Sequence, residues 1–302
     1  MNSLLTQLDK VEALAAASKW HRLWHAPAKY LYAIGFRRLV YARHKKGVVK
    51  QVATFFGIPM QVVLPAGTDI YLTGGKSHSS EIRLARFLIN TLQPGDDFLD
   101  VGGHFGYFSL LASQLVGASG RVVAYEASRS TYAVLAENVK RLPNIRAVHS
   151  AVSDRQESIS FYEFPVLYNE FNSMDVTQFA GEKWFEEFKP TRIDVPAVRV
   201  DDILADSGLA PHVIKIDVEG AELKVIGGAA ASLRRLAPYV VMEYLEPKRH
   251  NTEHQKAVTL LRELGYHAHT LQENGTLQPC TDLDAYLIQH GHDSDNFVFV
   301  KQ

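Results

Sequence analysis

The stretch that most constrains the fold runs from Phe98 to Phe108 and reads Phe-Leu-Asp-Val-Gly-Gly-His-Phe-Gly-Tyr-Phe. The apolar residues around Asp100 predict a buried strand, and the glycines that follow predict a tight turn into a helix. A second predicted strand, Val122–Glu126, ends in a carboxylate. This order is typical of an open α/β sheet, which binds ligands beyond the carboxyl ends of its strands.

The residue types of this unit suit a nucleoside. Gly102, Gly103 and Gly106 let the backbone turn tightly and let a ligand approach it closely. Asp100 can accept hydrogen bonds from a ligand ammonium group or from loop amides, and Glu126 is placed to bind both hydroxyls of a ribose. The two carboxylates would therefore bind opposite ends of one nucleoside.

A nicotinamide cofactor is the main rival ligand. Its turn normally reads Gly-x-Gly-x-x-Gly and holds an anionic pyrophosphate on backbone amides. Here the turn reads Asp-x-Gly-x-x-x-Gly from Asp100, and a carboxylate is unfavourable beside a diphosphate but favourable beside a sulfonium amino acid. The sequence therefore favours S-adenosylmethionine over NAD. A glycine-rich turn without any ligand is the remaining alternative, and Glu126 weakens it.

Composition is that of an ordinary globular protein, with 302 residues, 46% hydrophobic and 22% charged. The one cysteine, Cys280, cannot form an internal disulfide, which indicates a reducing compartment. The first residues lack the features of a signal peptide, and no stretch approaches the roughly 18 apolar residues of a spanning helix. We therefore expect a cytoplasmic protein.

The first fifty residues are strongly basic although the whole chain has a formal charge of −1. Residues 3–18 have helical periodicity, and basic and aromatic residues interleave over residues 19–50. Such an extension could lie in an anionic membrane interface or bind an anionic polymer, or it could be a helical cap that packs its aromatics on the main domain. Nucleic acid is disfavoured, because the rest of the chain is acidic.

The remaining elements alternate in a way that predicts a parallel sheet from Asp96 onward. Before it, residues 50–75 contain three strand-like runs, Val52–Phe56, Met60–Leu64 and Asp69–Leu72. A helix follows from Ser79 and Ser80, which act as caps, to about Leu92. Later strands are predicted at 96–101, 121–126, 145–150, 157–162, 194–199, 212–217, 238–243, 266–271 and 296–300, and helices at 106–116, 130–140, 220–235 and 252–264, with another from about Val200.

A second group of charged residues lies in Val213–Leu223, where Lys215, Asp217 and Glu219 alternate along and just beyond a buried strand. Unpaired buried charges are costly, so these residues must pair with one another or face a polar cavity. Asp217 could contact the methionine part of the cofactor or the acceptor. Glu219 or His104 could take the proton of an attacking hydroxyl, although a histidine on a turn is as often a solvent-facing residue.

Other polar residues are candidates for the rim of the same site. Glu243 ends the next strand, and with Asp217 it could hold a divalent ion, but no histidine or carboxylate spacing requires a metal and none is expected. Glu81, in the first turn of its helix, either faces the cofactor pocket or only satisfies the helix dipole. Asp154, after Ser153, could contact the adenine ring, or this segment is an ordinary turn.

An insertion at about residues 161–190 is dense in aromatic residues. We expect most of them to form a local core and a few to contact the acceptor. Tyr168, Asn169 and Asn172 are the candidates for acceptor contact. The aromatic residues of the insertion are Phe161, Tyr162, Phe164, Tyr168, Phe171, Phe179, Trp184, Phe185 and Phe188.

Three segments, Phe98–Leu110, Ala151–Asp154 and Ile214–Glu222, resemble the FkbM-type family of S-adenosylmethionine-dependent methyltransferases. The resemblance covers about residues 50–300, and Lys-Ile-Asp-Val-Glu-Gly-Ala-Glu is its most specific part. It implies a Rossmann-like class I methyltransferase fold, with a seven-stranded, mostly parallel sheet whose last strand is antiparallel and helices on both faces. It also implies methyl transfer to an oxygen. We therefore expect a basic extension over residues 1–50 and an FkbM-like domain over residues 51–302.

Family roles transfer to matching positions. Two positions depart from the family pattern, because His104 stands where Asn is common and Ala127 stands where Pro is common. The residues expected at the cofactor are Glu81, Asp100, Gly102, Gly103, His104, Gly106, Glu126, Ala127, Ser153, Asp154 and Asp217; those expected at the acceptor are Tyr168, Asn169, Asn172 and Glu243; and those expected to catalyse are Asp217, Glu219 and His104.

The sequence thus predicts an O-methyltransferase that acts on a hydroxyl of a carbohydrate, glycolipid or natural-product acceptor. The alternative from another class is a membrane- or complex-associated binding module whose nucleoside site is not catalytic. An NAD-dependent oxidoreductase is less favoured. A homo-oligomer is compatible with the sequence.

Overall fold

The computed structural model describes residues 2–174, 176, 183–249 and 251–301. Its strands are β1 Val48–Ala53, β2 Pro59–Leu64, β3 Asp97–Val101, β4 Arg121–Glu126, β5 Ile145–His149, β6 Ala151–Val152, β7 Glu157–Glu163, β8 Thr191–Val198, β9 Pro211–Ile216, β10 Tyr239–Leu245, β11 Tyr266–Leu271, β12 Leu277–Pro279 and β13 Ser294–Lys301. Its α-helices are α1 Asn2–Ala16, α2 Lys19–His25, α3 Pro27–Gly35, α4 Ala42–His44, α5 Thr68–Thr73, α6 Ser79–Thr91, α7 Tyr107–Val116, α8 Arg129–Val139, α9 Lys183–Glu187, α10 Val200–Ser207, α11 Glu222–Gly228, α12 Ala230–Leu236, α13 Thr252–Glu263 and α14 Leu283–His290.

The main sheet has the order β12-β11-β13-β10-β9-β3-β4-β5. The strands β10, β9, β3, β4 and β5 pair in parallel, and β13 lies antiparallel between β10 and β11. This arrangement confirms the predicted α/β fold and its antiparallel last strand. The short edge strand β12 is an addition that the sequence did not predict.

Helices cover both faces of the main sheet, which explains why its central strands are apolar throughout. Phe98 in β3 faces a core that also contains Leu88 of α6 and Leu110 of α7. Its neighbour Leu99 points to the opposite core, with Ile226 of α11. Because successive side chains of a strand alternate between faces, each strand of the centre supplies both cores. The carboxyl ends of these strands are therefore held in fixed positions.

The first helix is part of this core rather than a free extension. Leu8 and Val11 of α1 are buried. The buried guanidinium of Arg86, on α6, lies 2.8 Å from both the Asp9 and Glu12 carboxylates. Beyond α1, a π-helical stretch, Phe36–Tyr41, links α3 to α4, and a 3₁₀ turn, Val166–Phe171, follows β7.

Four predictions of local structure were wrong. Asp69–Leu72, predicted as a strand, lies in helix α5, where Tyr71 N donates to Gly67 O and Gly74 ends the helix at a φ of +78°. The strand predicted at Val52–Phe56 is β1, which begins at Val48 and ends at Ala53. The N-cap position of α6 is His78, which makes no side-chain capping hydrogen bond, and not Ser79 or Ser80. The helix predicted over 220–235 is two helices, because the chain breaks its α-helical course at Ala229.

Candidate active site

A cavity of about 770 Å³ lies at the carboxyl ends of β3, β4, β9 and β10. It has the size typical of a small-molecule site. Of the residues predicted for the site, those that line it are Glu81, Gly102, His104, Glu126, Ala127, Tyr168, Asn169, Asn172, Asp217, Glu219 and Glu243. Those predicted for the site that do not line it are Asp100, Gly103, Gly106, Ser153 and Asp154.

Asp100 lies beneath the cavity and was expected to touch the ligand. Its side chain is only 1% exposed, and its carboxylate accepts a hydrogen bond from Ser109 Oγ and lies 3.6 Å from Lys215 Nζ. Burial raises the pKa of Asp100, although the Lys215 charge opposes this rise. Asp100 therefore acts on the cavity through Lys215.

The turn after β3 is packed tightly against the turn after β9. Gly102 has a φ of +84°, and a Cβ atom there would lie 1.8 Å from Asp217 O. Gly106 has a φ of +89°, and a Cβ atom there would lie 2.6 Å from Leu135 Cδ1. The sequence predicted that glycines were needed for a ligand to approach, but at Gly102 the group that approaches is the neighbouring backbone.

Glu126 joins two loops at the end of β4. It is 7% exposed, its Oε2 accepts from His104 N at 2.8 Å, and its Oε1 accepts from Ser128 N at 2.9 Å. Burial raises the pKa of Glu126 to about 7, although these two hydrogen bonds oppose the rise. Each carboxylate oxygen has a second lone pair, which a ligand hydroxyl can use.

His104 lies in the turn with a φ of +48° and lines the cavity, so it is not merely a solvent-facing loop residue. Burial, together with the Lys76 charge, lowers the pKa of His104 to about 3, although Asn169 and Asp217 oppose this. Its imidazole is therefore neutral near pH 7. A base with so low a pKa is a weak proton acceptor.

Lys215 and Asp217 form an ion pair at the end of β9. Lys215 is 3% exposed, and its Nζ lies 3.1 Å from Asp217 Oδ2 and 3.3 Å from Gly102 O. Burial alone would lower the pKa of Lys215, but the carboxylates of Asp217 and Asp100 raise it. Burial would likewise raise the pKa of Asp217, but Lys215 brings it below its usual range. Both side chains are therefore charged.

Carboxylate oxygens of Asp217, Glu219 and Glu243 lie within 4.8 Å of one another. Burial raises the pKa of Glu219 well above its usual range, and the charges of Glu243 and Asp217 raise it further. Burial and Asp217 raise the pKa of Glu243 to about 8. Within the described ranges, this cluster is the group of side chains that could hold a metal ion. Without a metal ion, Glu243 can hold a proton near neutral pH instead, since its pKa is about 8.

Glu222 supports this cluster and was missed as a functional residue. It is fully buried, and its Oε1 and Oε2 accept hydrogen bonds from Val218 N and Gly220 N at 3.1 and 3.0 Å. His254 Nε2 lies 3.2 Å from the same carboxylate. The sequence could have indicated Glu222 by its place in the first turn of α11, since a carboxylate there can bind the free amides before a helix. Glu222 thus fixes the turn that carries Asp217 and Glu219.

Ser153 and Asp154 do not reach the cavity wall. Ser153 is buried, and its hydroxyl donates to Asp154 Oδ1 at 3.2 Å, while Asp154 itself is exposed. The segment lies against α11, where a Cβ atom on Gly228 would be 2.1 Å from Ser153 O. The preceding residues Ser150–Val152 line the cavity instead.

The aromatic insertion forms a local core that also borders the cavity. The ring of Tyr168 stacks on Trp184 at 4.6 Å and lies 4.9 Å from Phe188. Tyr168, Asn169 and Asn172 line the cavity, and their contact with the acceptor stays a prediction. Phe179 lies outside the described residues, as does the side chain of Phe171.

The sequence did not predict that the N-terminal helices reach this cavity. Arg22 of α2 and Arg37 of the π-helical stretch both line it. So do Lys76, His78 and Arg249. Nothing in the local sequence of Arg22 or Arg37 distinguishes them from the other basic residues of the extension, because their position depends on long-range packing.

Comparison with known proteins identifies the family. Residues 100–268, more than half of the chain, match the family described as the methyltransferase FkbM domain. The chain is 28% identical over 178 residues to Methyltransferase sdnD of Sordaria araneosa, covering 51% of this chain and 68% of that protein. It is 26% identical over 165 residues to Hexuronic acid methyltransferase AglP of Haloferax volcanii, covering 52% of this chain and 59% of that protein.

Among solved structures, methyltransferase FkbM from Methylobacillus flagellatus KT is 14% identical, with a TM-score of 0.42, covering 78% of this chain and 52% of that chain. The AglP match spans less than two thirds of that protein. The family match itself contains the turn after β3, the carboxylate of Glu126 and the turn after β9. The chain therefore belongs to the FkbM family of methyltransferases.

Proposed function

We propose that the chain transfers a methyl group from S-adenosylmethionine to a hydroxyl group of a carbohydrate, glycolipid or natural-product acceptor. The observation that carries the proposal is the cavity in which Glu126 and Asp217 face the same space from the ends of β4 and β9, the two strands that flank β3. S-adenosylmethionine supplies a methyl group on a sulfonium centre, which needs no further activation. The protein's task is therefore mainly to position the two reactants.

The residues present fit such a ligand. The half-buried Tyr125 and Ala127 and the buried Ala151 and Val152 offer an apolar surface beside the Glu126 carboxylate, which suits an adenosine. Asp217 is charged and reaches the cavity, so it suits the ammonium group of an amino acid. Lys215 and Asp100 act as positioning residues, because Lys215 pairs with Asp217, Asp100 pairs with Lys215, and neither lines the cavity.

Glu219 is the residue that we assign as acceptor of the hydroxyl proton. It lines the cavity and lies beside Glu243 and Asp217. The negative charge of Asp217 favours proton uptake by Glu219, whereas the neutral His104 is a weak base. A base of modest strength is sufficient, because the methyl carbon is already electrophilic.

A carbohydrate is the acceptor class with the most direct support. AglP is a hexuronic acid methyltransferase by its name, and Asn169, Asn172 and Tyr168 give the cavity polar and aromatic groups of the kind that bind sugars. The alternative of a non-catalytic binding module is disfavoured, because the buried ion pairs around Lys215 are costly to keep without a function.

Calorimetric titration tests the proposal. We expect micromolar binding of S-adenosylmethionine and S-adenosylhomocysteine and no binding of NAD. Glu126→Gln should weaken both by at least tenfold, whereas Glu263→Gln, at an exposed site on α13, should change neither. Wild-type affinity in Glu126→Gln, or binding of NAD alone, would refute the site. The expectation that no metal takes part is tested by titration in EDTA, where loss of binding would contradict it.

A further inference from the structure

One wall of the cavity is built by residues outside the part of the chain that matches the family. Arg22 and Arg37, here called the arginine pair, line the cavity from α2 and from the π-helical stretch Phe36–Tyr41. The family match begins at residue 100. Whatever this wall recognises is therefore a property of this chain in addition to the common fold.

Helix α3, on which α2 packs, and the π-helical stretch that carries Arg37 are fixed to the domain by side-chain contacts. The Tyr32 ring of α3 lies 6.4 Å from Tyr71 of α5, and Lys29 Nζ lies 5.5 Å above the same ring. Leu167 N donates a hydrogen bond to the buried Tyr41 hydroxyl at 3.0 Å. These contacts hold the wall between α5 and the aromatic insertion, both of which also line the cavity.

The geometry of α2 turns Arg22 inward. Trp20 and Trp24 are one helical turn apart and are 73% and 80% exposed, so they mark the outer face. Arg22 lies between them in sequence and therefore on the other side of the helix. Its Nε atom is buried and has no hydrogen-bond partner. A buried guanidinium nitrogen without a partner is unusual and calls for a ligand group.

The arginine pair also lacks counter-ions. In the part of the chain that the structure describes, neither Arg22 nor Arg37 makes an ion pair or a side-chain hydrogen bond. The other cations of the cavity differ, since Lys76 lies 2.6 Å from Glu81 and Arg249 acts on the charges of Glu219 and Glu243. Two guanidinium groups on one cavity wall thus remain available to an anion.

We propose that the arginine pair is a subsite for a carboxylate or phosphate group of the acceptor. This inference rests on the proposed methyl transfer in the same cavity. The planar guanidinium binds either anion through paired hydrogen bonds. Arg22 offers a buried Nε, whereas Arg37 is an exposed residue at the cavity wall. The π-helical geometry around Arg37 is itself of a kind often found at functional sites. An uncharged acceptor would leave both cations unpaired, so the subsite selects acidic sugars or sugar phosphates.

The test uses the full chain saturated with S-adenosylhomocysteine and titrated with D-glucuronate, glucose 6-phosphate and glucose. We expect at least one of the anions to bind at least tenfold more tightly than glucose, and the better of the two identifies the anionic group. In Arg22→Gln/Arg37→Gln this preference should fall to within twofold of glucose. Arg38→Gln/Arg43→Gln, which removes the same charge from exposed residues that do not line the cavity, should keep the preference.

Three results would overturn the subsite: equal binding of glucose and both anions, no binding of either anion, or an anion preference that survives Arg22→Gln/Arg37→Gln. The affinity for S-adenosylhomocysteine should stay within twofold in that variant. A tenfold loss would assign the arginine pair to the cofactor's own carboxylate and would also overturn the proposal. Failure of the wild-type chain to bind S-adenosylhomocysteine would instead count against the proposed function, and the anion titration of the unliganded chain would then decide the subsite.

Discussion

Gly102 is the residue at which the turn after β3 meets the turn after β9. Its φ of +84° is one that side chains rarely adopt, and a Cβ atom would overlap the carbonyl oxygen of Asp217 at 1.8 Å. Because the overlapping group is backbone, it cannot rotate away. The turn after β9, which carries Asp217 and Glu219, would have to move as a whole.

We predict that Gly102→Ala destabilises the fold by several kcal/mol more than Gly208→Ala. Gly208 has a φ of +62° with nothing within 4 Å of an added Cβ, so its variant reports only the conformational cost of about 1–2 kcal/mol. Urea denaturation of both variants gives the comparison. Equal losses would mean that the turn after β9 yields without cost and that the close contact has no structural role.

Glu126 gives the site a pH dependence that can be measured on the cofactor alone. Its pKa of about 7 in the folded protein, raised by burial, means that the carboxylate forms only as the pH rises through that value. Two ribose hydroxyls are donors, and the ionised form is the better acceptor. We predict that the affinity for S-adenosylhomocysteine increases between pH 5.5 and 8 and then levels off. Glu126→Gln should remove this slope, and an unchanged slope in that variant would assign it to another group.

The stability of the unliganded protein should respond to Glu126 in the opposite direction. A carboxyl whose pKa is raised from 4.5 to about 7 on folding stabilises the fold fully below pH 4.5 and loses that contribution as the pH rises through 7. The difference is at most roughly 3 kcal/mol. The unfolding free energy of wild type should therefore fall relative to that of Glu126→Gln as the pH rises through this window.

Some site residues could be found from sequence because their chemistry is tied to a strand end. Glu126 and Asp217 follow buried runs, and the edge of a parallel sheet brings such residues together. Asp100 follows the same rule but lies too deep, because its carboxylate is occupied by Ser109 and Lys215. Arg22 and Arg37 obey no local rule, since long-range packing of α3 on α5 and of the π-helical stretch on the aromatic insertion brings them to the cavity.

At the scale of elements, the strands and helices that alternate after Asp96 were predictable, since each is long enough to show its own periodicity. The short ones were not. Asp69–Leu72 has the alternation of a strand, but the helical hydrogen bond from Tyr71 N to Gly67 O and the left-handed Gly74 made it α5. Helix α14 was missed although Asp282 caps it by accepting from Ala285 N at 2.9 Å.

The turn between β9 and α11 is held by the side chain of Glu222, and Ser173 Oγ also donates to its Glu219 O at 2.7 Å. The two carboxylate oxygens of Glu222 accept from Val218 N and Gly220 N. Glu222→Gln turns one acceptor into a donor that faces an amide donor, which should cost about 1–3 kcal/mol. We predict this loss together with at least a tenfold weaker affinity for S-adenosylhomocysteine, because Asp217 precedes the disturbed amides.

Guanidinium denaturation and calorimetry measure the two effects, and the exposed Glu263→Gln is the matched control. A destabilised Glu222→Gln variant with normal cofactor affinity would show that the turn does not position Asp217. His254 provides a second check, since its ring lies 3.2 Å from the same carboxylate. His254→Gln should have a smaller effect than Glu222→Gln, because the two backbone amides keep their partner.

At the scale of the whole molecule, the N-terminal segment has two faces with different roles. Leu8, Val11, Phe36 and Tyr41 are buried against the domain, in agreement with a helical cap. On the outer side Trp20, Trp24, Leu31 and Leu39 are exposed. Within the described ranges, no helix is both long and apolar enough to cross a bilayer.

The exposed face of α2 and α3 is the part of the molecule suited to an anionic membrane surface. Exposed tryptophans partition into the interface, and the exposed Lys19, Lys29 and Arg38 add attraction to anionic lipids. We predict that the chain sediments with phosphatidylglycerol vesicles at low salt, that 0.5 M salt weakens this binding, and that neutral phosphatidylcholine vesicles bind far less.

Trp20→Ala/Trp24→Ala should lose most of the binding and keep normal affinity for S-adenosylhomocysteine, because both side chains point away from the cavity. Trp184→Phe, a change of the remaining tryptophan within the aromatic insertion, is the control. Equal sedimentation of the double variant and wild type would exclude the tryptophans as the membrane contact, and equal sedimentation with both lipids would show that the basic residues add no attraction to anionic lipid.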